Sequence, residues 1–113
     1  MPKLMVLYPY PADVEKFDRD YDEDHVPLVN TDTFPGLRKF VASKGVGTPA
    51  GTDPKYYVIA ELHFDTTDDL QKSATSEGAQ KAVEHAISIS TGGEPVFIIA
   101  EEETRTFERA ESA

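Results

Sequence analysis

A chain of 113 residues without cysteine is sized for one domain and offers no disulfide, thiolate metal site or cysteine nucleophile. Its net charge of −10 and pI near 4.6 set it against phosphate backbones and anionic bilayers, so neither nucleic acid nor membrane is expected as a partner. No apolar run approaches the ~20 residues of a membrane span. The opening MPKLMVLYPY is too short and too rich in tyrosine and proline for a secretory leader, which makes cytoplasm the expected setting.

Lys3 to Tyr8 predicts a strand, apolar on both faces as in the middle of a covered sheet. Pro9 and Pro11 end it, and Asp13 is placed to cap the following helix. That helix is expected to run to about His25, because Pro27 lacks a backbone N–H and stops or kinks it. Phe17, Tyr21 and His25 recur every fourth residue. They drift only ~40° per step and so share one narrow stripe. Leu28 extends the stripe, while Glu15, Lys16, Asp18, Arg19, Asp22 and Glu23 take the opposite, wet side. An imidazole and a phenol ending an apolar face mark a place to look for a site. A lone buried histidine is more often a packed residue with a local hydrogen-bond partner.

Pro35-Gly36 is a turn signal. Leu37 to Val46 predicts a second strand, whose Arg38, Lys39 and Lys44 suit a sheet edge. The glycine- and proline-rich loop after it lacks the Gly-Lys-Ser/Thr ending of a phosphate loop. Tyr56 to Phe64 predicts a third strand. Alternation puts Tyr56, Val58, Ala60, Leu62 and Phe64 on the core face, and Tyr57, Ile59, Glu61 and His63 on the other. Thr66 or Thr67 opens a second helix, with a break and restart at Ser76-Glu77-Gly78. Ala79, Ala82, Val83, Ala86 and Ile87 form its apolar stripe, and His85, beside Glu84, is expected to be solvated. Gly92-Gly93 end the helix, and Glu94 to Ala100 predicts the fourth strand. Residues 2–103 then form the domain, and 104–113 a charged, partly ordered tail.

The order strand, helix, strand, strand, helix, strand is the α+β, ferredoxin-like βαββαβ arrangement with both helices on one face. Its other face is left bare, carrying Met5 or Val6, Tyr57, Ile59, and Phe97 or Ile98. A soluble monomer tolerates little contiguous apolar surface, so a homodimer packed sheet against sheet is expected.

The pattern Phe17-x3-Tyr21-x3-His25-x-Pro27-Leu28-Val29, after a first strand KLMVLYPYP, resembles the EthD family, as does AELHFDTTDDL further on. The likeness runs over about residues 2–103. It implies a dimeric α+β barrel with a ligand cleft between helices and sheet, in a superfamily of cofactor-free monooxygenases, a lactone isomerase and haem-degrading enzymes. In such a cleft His25 would act as general acid or base and Tyr21 would orient a substrate oxygen. Phe17, Leu28 and Phe64 would be substrate-binding walls. Where family members often carry an aspartate in the second helix, this chain has Val83-Glu84-His85-Ala86. Glu61 and His63 form a second candidate site, on the face turned toward the dimer cavity.

The resulting expectation is a protein that binds a small aromatic or cyclic hydrophobic compound. It would work as a cofactor-free oxygenase or oxidoreductase, as an isomerase or cyclase, or as a non-catalytic carrier or stress-linked dimer. No cofactor is expected, since there is no dinucleotide fingerprint. No metal is expected either. The three histidines lack HExxH or HxH spacing. The acidic run from Asp18 to Asp24 has Glu23 and Val29 where a calcium loop needs glycine and glutamate.

Overall fold

Strand β1 (Pro2–Pro9) sets the layering: Leu4, Val6 and Tyr8 are buried on one face while the residues between them are half-buried on the other. The structure is a computed structural model that describes residues 1–109. The chain continues through α1 (Val14–Arg19), a π-helical stretch (Asp20–His25), a 3-10 turn (Val26–Leu28), β2 (Lys39–Lys44) and β3 (Tyr56–His63). Helices α2 (Thr67–Ala74) and α3 (Glu77–Ile89) and strand β4 (Val96–Glu101) follow. The strands pair antiparallel in the order β2-β3-β1-β4, so the first and third are central, and the fold is ferredoxin-like α+β. Residues 102–109 are exposed and form neither helix nor strand; the rest of the expected tail, 110–113, lies outside the described residues. No helix among the described residues is long and apolar enough to cross a membrane.

Capping chemistry sets the helix starts. The Asp13 carboxylate accepts the Lys16 N–H at 3.1 Å, and Thr66 Oγ1 accepts the Asp69 N–H at 3.0 Å. The second helix does break and restart, because Ser76 Oγ accepts the Ala79 N–H at 3.2 Å and donates to the Thr33 carbonyl at 3.1 Å. The connector packs so closely there that a Cβ on Gly78 would sit 2.7 Å from Thr33 Cα. Pro35-Gly36 makes its turn with Gly36 at φ +84°, a conformation glycine adopts without a Cβ penalty.

Three local expectations are corrected. The first helix is α-helical only to Arg19; beyond it the turns widen, with the Val26 N–H bonded to the Tyr21 carbonyl five residues back. On α3 it is Ile89, not Ile87, that joins Ala79, Ala82 and Ala86 inside; Ile87 is 45% exposed. Tyr57 leaves the open face: the register slips between Tyr8 and Pro9, which oppose Val58 and Tyr56, so Tyr57 has no partner on β1. Its ring turns into the helix-side core against Phe17, 5.8 Å between centroids, and its hydroxyl donates to Asp18 at 2.8 Å.

Two apolar clusters lie between the sheet and the helices. Register assigns Met5, Leu7, Ile59 and Ile98 to the opposite face, whereas Val6 and Phe97 point to the helix side. Strand β4 is left open on both faces, with Val96, Phe97, Ile98 and Ile99 between 37% and 47% exposed.

Candidate functional site

Wherever a helix packs on a twisted sheet, small residues leave room, and here Ala60 on β3 faces Ala82 and Ala86 on α3. The cleft between them is narrow and opens to solvent. Leu4, Val6, Phe34, Phe40, Leu62 and Phe97 are among its walls. Tyr8 and His25 are the two polar side chains in that lining.

The helical stripe holds His25 in place. Phe17 stacks on Tyr21 with ring centroids 5.7 Å apart, and Tyr21 leans on His25 at 5.6 Å. Tyr8 meets all three rings edge-on from β1. An α-helix overshoots a full turn by ~40° in four residues. The wider π turn gives part of that back, which keeps Tyr21 and His25 on one line. The imidazole ends up 6% exposed with both nitrogens engaged. Its Nε2 lies 3.2 Å from the Tyr8 hydroxyl, and its Nδ1 lies 3.0 Å from Nδ1 of His85. The two imidazoles are nearly parallel, 7° between planes with centroids 5.2 Å apart.

Burial, and then the neighbouring His85 charge, push the His25 pKa down to about 4, so the ring is neutral at pH 7. Burial pushes the Tyr8 and Tyr21 phenols up, which keeps both protonated. Tyr21 is 1% exposed and its hydroxyl has no hydrogen-bond partner among the described residues.

Of the residues singled out in the sequence, His25 reaches the cleft. Phe17 and Tyr21 stand behind it in the aromatic ladder and do not line it. Leu28 is half-buried outside the lining, and Val29 takes the wall position next to it. Phe64 is buried in the second cluster with Phe34, Leu62 and Leu70. Two partners were not anticipated. Tyr8 sits on a strand apolar on both faces, where alternation alone does not mark a polar tip. His85 is half-buried rather than fully solvated: it is three residues beyond the buried Ala82, on the flank of the stripe, and that spacing was the available signal.

Glu61 and His63 lie on the opposite sheet face. Lys3 Nζ is 2.5 Å from Glu61 Oε1, and the His63 ring sits between Glu61 at 3.6 Å and Glu102 at 3.8 Å. Ligand atoms of these three residues fall within 4.8 Å of one another, close enough for a divalent cation, but the Lys3 ammonium already supplies positive charge there.

Comparison with known proteins places this architecture. The EthD domain matches residues 10–87, and the chain belongs to the EthD family. A Rhodococcus erythropolis protein, described as an uncharacterized 11.0 kDa protein in the thcB-thcC intergenic region, is 29% identical over 102 residues, covering 90% of this chain and 96% of its own. The crystal structure of an EthD family protein from Bacillus halodurans is 32% identical with a TM-score of 0.82, covering 91% of this chain and 99% of that one. A structure from Jannaschia sp., described as a dimeric ferredoxin-like protein of unknown function, shares the fold at 14% identity and a TM-score of 0.67, covering 90% and 100%.

Proposed function

We propose that the protein is a homodimer that holds a small aromatic or cyclic hydrophobic molecule bearing an oxygen in the cleft of each chain, and that His25 moves a proton on that molecule. The observation behind this reading is the contrast within the cleft: apolar walls and one polar corner, made by Tyr8 and His25. Burial of apolar ligand surface supplies affinity at roughly 25 cal/mol per Å2. A phenol or carbonyl oxygen brought into such a space finds its hydrogen bonds at that corner, which fixes its orientation.

A neutral imidazole can accept a proton at Nε2. Proton removal from a phenol, or from carbon beside a carbonyl, opens both cofactor-free oxygenation and isomerisation. His25 is therefore the catalytic residue, and Tyr8 is the hydrogen-bonding partner that the sequence assigned to Tyr21. Phe17 and Tyr21 position the imidazole by stacking beneath it. The dimer is supported by the apolar open face, with Met5, Leu7, Ile59 and Ile98, and by the dimeric description of the Jannaschia fold relative.

The test uses a panel of phenols and cyclic ketones in deuterated buffer, followed by NMR for binding and for deuterium entering acidic C–H positions. Wild type is expected to bind at least one compound and to catalyse its exchange. His25→Ala should still bind, with exchange slowed at least about 100-fold. If no compound binds the wild type, or if both proteins exchange at the same rate, the proposal fails. Binding without exchange in either protein would make this a carrier.

A further inference from the structure

We propose that His85 links the cleft to solvent, so that Tyr8, His25 and His85 form a proton relay through which His25 exchanges protons with water. The bound molecule in this scheme rests on the cleft reading above, but the relay belongs to the ligand-free chain.

The geometry supports an unbroken path. Tyr8 is 1% and His25 6% exposed, so both have little direct access to water. His85 is only half-buried, on the outer flank of α3. The contacts of 3.2 Å and 3.0 Å join cleft to surface without a gap. Two Nδ1 atoms at 3.0 Å must share one proton, one nitrogen donating and the other accepting, or their lone pairs repel. With that proton on His25, its Nε2 is free to accept, and the Tyr8 hydroxyl donates to it.

The transfer balances. A bound acid gives its proton to His25 Nε2, directly or through Tyr8, which takes one proton as it passes its own on. His25 releases its Nδ1 proton to His85 Nδ1, and His85 releases its Nε2 proton to water. Each ring gains one proton and loses one. The return flow, from water through His85 to the bound molecule, restores the starting tautomers, as an isomerisation requires. Because His25 accepts and releases together, it never carries a full charge in the buried site. That fits its depressed basicity.

Ionisable groups face the pair from each packed element: Tyr8 from β1, Tyr21 from the π stretch, and Asp20 close enough to His85 to feel its charge. Glu84 precedes His85 on α3. The Asp20 carboxylate, bonded to Lys16 at 2.7 Å, stabilises a transient His85 cation at the exit.

The experiment is 15N NMR of the ligand-free protein at pH 7. A scalar coupling between the two Nδ1 atoms, the signature of a shared N–H···N proton, is expected in the wild type. His85→Phe keeps an aromatic ring at that position and removes the acceptor, so exchange of the His25 ring proton with water should slow at least about tenfold. No coupling in the wild type, or unchanged exchange in the variant, overturns the relay. The coupling needs no variant, so a variant that fails to fold leaves the test standing. A protein that shows both results yet binds none of the phenols or ketones retains the relay and loses only the cleft's occupant.

Discussion

At 6% exposure the His25 ring has lost most of the water that would stabilise its charge, and its neighbours replace that water with a phenol and a second imidazole. The consequence for folding follows by linkage. Unfolded His25 takes a proton as pH falls through about 6.5, the folded ring only near 4. Between those values the unfolded chain binds more protons, so stability is full above pH 6.5 and is lost on acidification. This one group should cost about 2 kcal/mol between pH 7 and pH 5, and roughly 3 kcal/mol once both states are protonated. Urea titrations at the two pH values measure it, and His25→Phe should lose that much less than the wild type. If both proteins lose the same amount, the buried neutral ring is not the cause. The sequence made His25 legible because its spacing from Phe17 and Tyr21 is a helical period. Its partners were not legible: Tyr8 and His85 are 17 and 60 residues away, and their meeting depends on how β1 and α3 are rotated about their own axes.

At the level of elements, local chemistry was readable wherever one residue decides the outcome. Asp13 caps where expected, Thr66 is the one of the two candidate threonines that caps α2, and the break expected at Ser76-Glu77-Gly78 is made by the Ser76 hydroxyl capping α3. Ser76 also ties α3 to the connector at Thr33, so Ser76→Ala should cost about 1–2 kcal/mol in denaturant titrations. A loss below about 0.3 kcal/mol would mean that the helix start is set elsewhere, by the close approach of Gly78. The π stretch and the Tyr57 bulge were not readable, for a common reason. Both change the residue count per turn or per pair without requiring any residue type that an ordinary helix or strand avoids. The bulge matters to the site because it brings Tyr57 under Phe17, the foot of the ladder that ends in His25.

For the whole molecule, element order alone gave the ferredoxin-like fold, since βαββαβ with short connections has few ways to close. The open sheet face was legible too, apart from Tyr57. Ile98 is 43% exposed on that face, so Ile98→Asp should leave the single chain folded while preventing association. Analytical ultracentrifugation at micromolar concentration should find two chains for the wild type and one for the variant; a monomeric wild type would remove the dimer. The same open face has a further consequence. Two chains that meet there each carry −10, so pairing works against long-range repulsion while apolar contact supplies the attraction. Raising salt from 0.01 to 0.15 M shortens the Debye length from about 30 to about 8 Å. This pair should therefore grip more tightly as ions are added and drift apart on desalting, the reverse of an association held by opposite charges.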